Sequence, residues 1–317
     1  MSDQWRVAII GAGAIGSVFA LKLADAGHDV TMVVRNPERR AAIEADGVRG
    51  VSGGKAQRAA VTTAPALEGD FDLVIAPVQR QQFDDLVPTL AANGSRRIMP
   101  MLNNATDADG WNDQLGADRV TWGFPAIVAE NKDGVIEYSI VPGFVQSTTV
   151  GRPDGSVTED VRGLKALFDD AGIPTVISER MDSWLKTHAA VVAPMVAASF
   201  LPAREGIGPR LGWKSASALG AAVQAGLRAV SGSGATIDPS NLKVLQYLPA
   251  PVLTALLVAA FSTPAGKGLI GTLNGTIAQE SATLLGQVEA LAARAGVDGA
   301  PLAGLRALVP AADAARA

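Results

Sequence analysis

The sequence predicts an α/β protein in two domains: a doubly wound parallel sheet over residues 1–178, then an all-helical domain over residues 179–317. Three observations support this prediction. Up to about residue 100, short apolar segments alternate with helical patterns, as in parallel sheets with helical crossovers. Beyond residue 178 nearly every segment has helical periodicity. The chain has 317 residues, 48% of them hydrophobic, which is enough for two cores.

Each element follows from a local pattern. Strands are predicted where short apolar, often β-branched runs end at glycine or a polar turn, and helices where apolar residues recur at helical spacing. The predicted strands of the first domain span 6–10, 29–34, 71–76 and 97–102. The helices between them span 14–26, 37–45 and about 81–92. Glycines punctuate 120–150, which predicts hairpins, before a helix over 157–171 and a strand over 175–177. Helices of the second domain are expected over 181–200, 216–231, 252–262 and 277–295.

A glycine-rich segment lies between the first strand and the first helix. In a GxGxxG segment of this kind, Gly11 permits a tight turn, Gly13 lets backbone approach a pyrophosphate, and Gly16 lets the helix pack closely on the strand. This context predicts a Rossmann-type dinucleotide site, and the alternative is a turn without a ligand. The residues expected to bind the cofactor here are Gly11, Ala12, Gly13, Ala14, Ile15 and Gly16.

The end of the second strand indicates which dinucleotide binds. Enzymes that use NAD carry Asp or Glu about 20 residues past the glycines, where it binds the ribose 2′-hydroxyl. This chain has Arg35 and Asn36 there, and a guanidinium pairs well with a 2′-phosphate. The sequence therefore favours NADP(H) over NAD(H), with Arg35 as a solvated surface charge the alternative.

Composition argues against several classes of function. The net charge of −4, with no basic block, argues against a nucleic-acid partner. The chain has no cysteine and two histidines, so disulfides, iron–sulfur clusters and a metal site are not expected.

Two apolar stretches resemble membrane segments. Residues 7–21 have a signal peptide as their alternative interpretation, but Asp3 and the glycines favour a phosphate loop. Prolines cut the uncharged run between Lys243 and Lys267 and leave about twelve helical residues, or ~18 Å, against a ~30 Å hydrocarbon core. We therefore expect a cytoplasmic protein with no membrane partner, in which residues 248–261 form either a homodimer contact or a pocket wall.

The order and spacing of several motifs resemble the ketopantoate reductase (2-dehydropantoate 2-reductase) family over almost the whole chain. The glycine loop at 11–16 opens the chain, and Leu-Asn-Asn at 102–104 resembles the family's Leu-Gln-Asn-Gly. Trp-Leu-Lys at 184–186 resembles its Trp-x-Lys at the start of the first C-terminal helix. Glu280 stands sixteen residues before Gly-Val at 296–297, as the family's C-terminal glutamate does.

The resemblance implies a reaction and the residues that perform it. In that family the hydride of NADPH reduces the ketone of a 2-oxo acid, in pantothenate biosynthesis. A lysine donates the proton, and an asparagine and a glutamate position the substrate; the matching residues are Lys186, Asn104 and Glu280. Gln79 and Asn104 match cofactor-contacting positions. An ammonium stabilises the charge that develops on the ketone oxygen, and burial is expected to lower the pKa of Lys186.

The chain departs from the family pattern in its polar residues. The family has lysine where this chain has Gln79, asparagines where it has Ala190 and Pro194, and serine and aspartate where it has Gly268 and Thr272. Because much of the polar substrate shell is missing, we expect a small carbonyl substrate that is bulkier or more apolar than ketopantoate, and poor turnover of ketopantoate itself.

Structural alternatives exist for each site residue. Lys186 could be a solvated helix residue, Glu280 a surface residue and Asn104 a turn residue. His188 lies on another face of the helix than Lys186, which favours packing, and Asp182 is an i,i+4 ion-pair partner or a helix cap. An opine-type dehydrogenase and a non-catalytic NADPH-binding sensor are the alternative functions.

Overall fold

The computed structural model describes residues 4–144, 146–200, 212–263 and 277–309. The chain divides into two compact units. The first unit comprises Met1–Leu102 and Ala108–Met181, and the second comprises Asn103–Asp107 and Asp182–Ala317. The short segment Asn103–Asp107 thus packs with the second unit, although it lies within the first domain predicted from the sequence.

The first unit contains the strands and the shorter helices. Its strands are β1 (Arg6–Ile10), β2 (Asp29–Val33), β3 (Val48–Ser52), β4 (Lys55–Ala59), β5 (Thr62–Ala64), β6 (Leu73–Ala76), β7 (Ile98–Pro100), β8 (Trp122–Phe124), β9 (Ile127–Lys132), β10 (Val135–Ile140), β11 (Thr148–Gly151) and β12 (Thr175–Ile177). Its helices are α1 (Ala14–Asp25), α2 (Pro37–Asp46), α3 (Arg80–Ala92), α4 (Asp109–Leu115) and α5 (Glu159–Asp170).

A five-stranded parallel sheet lies at the centre of the first unit, with strand order β5-β2-β1-β6-β7. The chain extends from β1 to one side through β2 and β5, and to the other through β6 and β7. The strand order therefore reverses between β1 and β6, which makes the sheet doubly wound. The predicted fold class is confirmed, as are the four strands from which it was predicted.

The strands between α2 and β6 were not predicted. The hairpin of β3 and β4 joins the hairpin of β9 and β10 in a four-stranded sheet of order β4-β3-β10-β9. The sequence of β4, Lys-Ala-Gln-Arg-Ala, is mostly exposed and lacks β-branched residues, so it carries no local strand signal. Helix α1 contacts strands of both sheets, and Val18, Phe19 and Leu21 are buried there.

The glycine-punctuated region between residues 120 and 150 is only partly a hairpin. The prediction is confirmed for β9 and β10 but is wrong for β11, which pairs in parallel with β12 and antiparallel with β8. The partners of β11 come from distant stretches of chain, which local turn signals do not reveal. Helix α5 contacts β11 and β12, and Phe168 packs on Phe19 of α1 with ring centroids 5.2 Å apart.

The described part of the second unit is helical, as predicted. Its α-helices are α6 (Met181–Ala198), α7 (Trp213–Gly232), α8 (Ala250–Ser262), α9 (Ile277–Arg294) and α10 (Ala300–Arg306). Helix α7 contacts α8, α9 and α10 and is buried along most of its length, so it is the central helix of this core.

Within the described residues, no helix is both long and apolar enough to cross a membrane. Helix α8 leaves Val252 and Leu256 exposed in the single chain. The homodimer contact expected for residues 248–261 stays a prediction.

Candidate functional site

The glycine loop joins β1 to α1 and has the backbone geometry that its sequence predicts. Gly11 adopts a φ of 88°, which only glycine adopts without strain, and its N–H donates to the Val33 carbonyl at 2.8 Å. A Cβ on Gly16 would come within 3.2 Å of Gly11 O, and equally close to atoms of Ile9 and Pro77. Gly11 is therefore required by its backbone conformation, and Gly16 by the close approach of α1 to the sheet.

The space in front of α1 fits a phosphate group. Gly13 is the N-cap of α1, no side chain caps the helix, and its first turn holds no acidic residue. A Cβ on Gly13 would meet no described atom within 4 Å. The start of α1 therefore offers backbone N–H groups and the positive end of the helix dipole with no described atom close to Gly13, and such a helix start binds a pyrophosphate.

Three predicted cofactor positions follow neighbouring strands of the parallel sheet. Gly11 follows β1, Arg35 follows β2 and Gln79 follows β6, and these strands are adjacent. Their carboxyl ends meet at one edge, at the point where the strand order reverses and where such sheets bind ligands. The sheet topology therefore brings these positions to one edge of the first unit.

The side chains that follow β2 and β6 differ in their exposure and hydrogen bonding. Arg35 is exposed, and the next residue, Asn36, caps α2 by accepting a hydrogen bond from Arg39 N at 2.8 Å. Gln79 begins α3, where its Oε1 accepts from Gln81 Nε2 at 2.6 Å. Arg35 thus presents its charge to the surroundings, whereas Gln79 takes part in the start of a helix.

Lys186 lies in the second turn of α6, and its side chain is only 8% exposed. Its Nζ donates to Asp107 Oδ1 at 2.7 Å and to Asp182 Oδ2 at 2.8 Å. The predicted i,i+4 pair with Asp182 is confirmed, and the alternative of a solvated lysine is wrong. An ammonium has three donors, so two are engaged by these carboxylates and, among the described residues, one is left for another acceptor.

The predicted direction of the Lys186 pKa shift is wrong. Burial alone lowers the pKa of Lys186, but the hydrogen bonds and charges of Asp107 and Asp182 outweigh burial and leave this pKa raised. The prediction failed because it considered burial without the two carboxylates. The hydrogen bond from Lys186 in turn lowers the pKa of Asp107.

Glu280 lies in the first turn of α9 and pairs with a residue that the sequence analysis did not select. Asn103 Nδ2 donates to Glu280 Oε1 at 3.1 Å. Burial raises the pKa of Glu280, and the hydrogen bond from Asn103 opposes this shift without cancelling it. Asn103 Oδ1 is buried and accepts no hydrogen bond from the described residues. This pair therefore offers a readily protonated carboxyl and an unused acceptor.

Asn104, the predicted asparagine, has a different environment from Asn103. Its Nδ2 donates to the Thr106 carbonyl at 2.7 Å, and its Oδ1 accepts from Thr106 N and Oγ1 at 3.2 and 2.8 Å. The side chain thus closes a turn within the segment Asn103–Asp107, as Asx residues often do. The structure brings Asn103, not Asn104, to Glu280.

The segment Asn103–Asp107 contacts α9 at two further points besides the Asn103–Glu280 hydrogen bond. Ala105 N donates to Gln287 Oε1 at 2.9 Å, and Asp107 Oδ2 lies 3.7 Å from Arg294 Nη1. The sequence analysis missed these partners as well. Polar residues that follow the β7 strand were a signal for Asn103 and Asp107, whereas no local pattern distinguishes Gln287 or Arg294 on a helix.

His188 packs against an aromatic neighbour one helical turn away. Its ring stacks on Trp184, with centroids 5.0 Å apart and an interplanar angle of 9°. Burial lowers the pKa of His188 to about 4, so the imidazole is neutral at neutral pH. The packing interpretation from the sequence is confirmed.

The departures from the family pattern on α6 lie in the core of the second unit. Ala190 and Pro194 are buried, and a Cβ on Gly226 of α7 would come within 3.0 Å of Ala190. Helix α7 thus occupies the space beside Ala190, which gives no extra room to a larger substrate there. Gly268 and Thr272 lie outside the described residues.

The sheet topology and the glycine loop define a Rossmann-type α/β protein with a helical second unit. The model of the family "Ketopantoate reductase PanE/ApbA" matches residues 7–154. Over these residues, just under half of the chain, the sequence is similar to the ketopantoate reductase PanE/ApbA family.

Two curated relatives are named 2-dehydropantoate 2-reductase. The one from Bacillus subtilis is 30% identical over 170 residues, which cover 52% of this chain and 49% of the relative. The one from Mesorhizobium japonicum is 27% identical over 212 residues, which cover 57% of this chain and 63% of the relative. The match therefore spans about half to three fifths of the length of these relatives.

Solved structures resemble the chain over nearly its whole length. A D-mandelate dehydrogenase with NADH and anilino(oxo)acetate has a TM-score of 0.72 at 16% identity, covering 96% of this chain and 97% of its own. A probable 2-dehydropantoate 2-reductase from Bacillus subtilis has a TM-score of 0.67 at 19% identity, covering 96% and 98%. At these identities the similarity establishes the fold.

Proposed function

We propose that the protein is an NADPH-dependent reductase of a 2-oxo acid or a related ketone, with Lys186 as the proton donor. The observation that carries the proposal is the buried ammonium of Lys186, held by Asp107 and Asp182 in a chain whose first unit opens with a nucleotide-type glycine loop. The match of residues 7–154 to a reductase family and the relatives named 2-dehydropantoate 2-reductase support it.

The chemistry assigned to Lys186 follows from its charge and its remaining donor. Bound NADPH supplies the hydride. Negative charge then develops on the ketone oxygen, where the third N–H of Lys186 stabilises it and delivers the proton, so that the product is a secondary alcohol. An alkoxide is far more basic than an amine, so this transfer is favourable even from an ammonium whose pKa is raised.

Glu280 and Asn103 are assigned to substrate binding. Glu280 is protonated more readily than an exposed glutamate, so it suits a hydroxyl or a second oxygen of the substrate. The free Oδ1 of Asn103 accepts a hydrogen bond from the same molecule. Asn104 contributes by closing the turn that carries Asn103 and Asp107.

The preference for NADPH is assigned to Arg35. This guanidinium follows β2 at the sheet edge, is exposed, and has the geometry to bind a 2′-phosphate through two hydrogen bonds. The D-mandelate dehydrogenase structure contains NADH. We therefore base the preference for NADPH on this chain's own residue.

A panel of carbonyl compounds assayed by loss of NADPH absorbance tests the proposal. The panel contains 2-dehydropantoate, aliphatic 2-oxo acids with branched side chains, the aryl 2-oxo acid benzoylformate, and neutral ketones of matched size. We expect reduction of at least one 2-oxo acid and slow turnover of 2-dehydropantoate. Replacing NADPH with NADH in the same panel reports the cofactor preference.

Two results would contradict parts of this proposal. Binding of NADPH without turnover of any compound would favour a nucleotide-binding sensor over an enzyme. Efficient reduction of 2-dehydropantoate would instead show that the missing polar residues are unnecessary for that substrate, and would assign the ordinary family activity.

A further inference from the structure

Two carboxylates hold Lys186, and they reach it by different routes. Asp182 lies one turn earlier on α6, so helix geometry alone places it beside the lysine. Asp107 is 79 residues away in sequence and belongs to the segment Asn103–Asp107. Its side chain is 60% exposed, which is unusual for the partner of a buried ammonium.

The segment that carries Asp107 is itself held at several points. Asn104 closes its internal turn, Ala105 N donates to Gln287 of α9, and Asn103 donates to Glu280 of α9. A carboxylate on a segment fixed in this way gives the ammonium of Lys186 a hydrogen-bond partner whose position does not depend on α6, and so provides a fixed point outside that helix. Asp182 cannot provide one, because it moves with α6.

We propose that Asp107 is a positioning residue for Lys186, which fixes the Nζ of Lys186 relative to the Asn103–Glu280 pair. This inference rests on the proposed reductase function, and it assigns a role to a residue outside the motifs that resemble the family. Asp107 itself acts through Lys186 and need not touch the substrate.

The charges around Lys186 agree with this role. In the described residues the charged groups that face it are Asp107 from the segment and Asp182 from α6, with Arg294 of α9 next to Asp107. Of the contacts that raise the pKa of Lys186 against burial, the hydrogen bond to Asp107 has the largest effect. Removal of this carboxylate should lower that pKa and release the Nζ.

The experiment compares Asp107→Asn with Asp182→Asn and with the conservative Asp107→Glu. We expect Asp107→Asn to lower kcat by roughly ten- to a hundredfold with a much smaller change in KM, because the donor is misplaced. The alkaline limit of kcat/KM should move to lower pH in Asp107→Asn and in Asp182→Asn. In Asp107→Glu it should stay close to the wild-type pH. Asp118→Asn, at an exposed carboxylate of the first unit, is the matched control and should change neither quantity.

A second readout separates this proposal from the proposed function. The titration of Lys186, followed by 13C NMR of lysine labelled at Cε and assigned with Lys186→Met, needs no substrate. A lower midpoint in Asp107→Asn than in the wild type supports the role of Asp107 even if no carbonyl compound is reduced. An unchanged midpoint, or a wild-type kcat and alkaline limit in Asp107→Asn, overturns it.

Discussion

The glycine loop of the first unit and the lysine site of the second are built from different parts of the chain. The loop consists of six consecutive residues, and the groups proposed to bind the cofactor are backbone N–H donors at the start of α1. The lysine site consists of side chains from the segment Asn103–Asp107 and the helices α6 and α9. The loop depends on side chains being absent, whereas the lysine site depends on charges being balanced.

This difference predicts how each region fails. Backbone donors do not ionise, so the loop is sensitive to added volume, and its own donors do not change with pH. At the lysine site, burial and neighbouring carboxylates act on the pKa of Lys186 in opposite directions, so a single neutral substitution changes the balance. Four predictions, from the largest expected effect to the smallest, test this contrast.

The largest effect is expected for Lys186→Met, which removes the proton donor and keeps the apolar part of the side chain. We expect kcat to fall roughly 10²- to 10⁴-fold, the usual contribution of a positioned acid, while the affinity for NADPH is unchanged. Steady-state kinetics and nucleotide fluorescence measure the two quantities.

The control for this substitution is Lys165→Met. Lys165 also forms an i,i+4 pair, with Asp169 on α5, but this lysine is far more exposed. It should retain full activity. Equal activity of the Lys186 and Lys165 variants would remove the distinction between the two regions.

A second prediction concerns the pH dependence of stability in the second unit. The pKa of His188 is lowered from 6.5 to about 4, so between these values the unfolded chain binds a proton that the folded chain does not. The stabilisation is complete above about pH 6.5 and is lost as the pH falls toward 4, by at most about 3 kcal/mol.

Urea unfolding at pH 7 and pH 4.5 measures this loss. The variant His188→Gln, which has no imidazole to titrate, should lose less stability over the same interval than the wild type. Identical pH dependence in the two proteins would show that the ring is not the group responsible.

A pair of glycine substitutions sharpens the account of the loop. Gly16→Ala places a methyl group 3.2 Å from three packed atoms, and we expect a loss of about 1–3 kcal/mol in unfolding free energy. Gly13→Ala meets open space, so stability should be kept while NADPH binding weakens about tenfold, or ~1.4 kcal/mol. Thermal melts and nucleotide titration should therefore rank the two variants in opposite orders, and the same ranking in both assays would contradict the steric argument.

The smallest effect is expected for Arg35→Ala, because this side chain is exposed. We expect the Kd for NADPH to rise about tenfold, as for one charge-assisted hydrogen bond near solvent, and the Kd for NADH to stay the same. Arg162→Ala, at an exposed position of α5, is the control. If the wild type binds both nucleotides equally, the assignment of NADPH to Arg35 is wrong.

Most of the central sheet could be predicted from the sequence, because its strands are continuous apolar runs buried on both faces. The strands β3, β4 and β5 could not, since none of them is a continuous apolar run, and β4 is polar and mostly exposed. Their pairing becomes favourable only when β10 and β2 are in place beside them. The same limit applies to β11, whose partners are remote in sequence.

The candidate site divides in the same way. The resemblance selected Lys186 and Glu280, and helical spacing selected Asp182. The resemblance also selected Asn104, whereas the amide that reaches Glu280 is that of the preceding residue, Asn103. A turn decides which of two adjacent side chains faces a neighbour 177 residues away, and residue type alone does not contain this information.

The sequence by itself determined the contacts between residues close along the chain: the strand–turn–helix of the glycine loop, and the pair of Asp182 with Lys186. These follow from local backbone geometry. Only the tertiary structure brought Asp107 to Lys186, where its hydrogen bond and charge act with those of Asp182 to raise the pKa of the lysine against burial. Electrostatic energy depends on distance through space, so the charge state of a buried group is decided by neighbours that the order of residues does not identify.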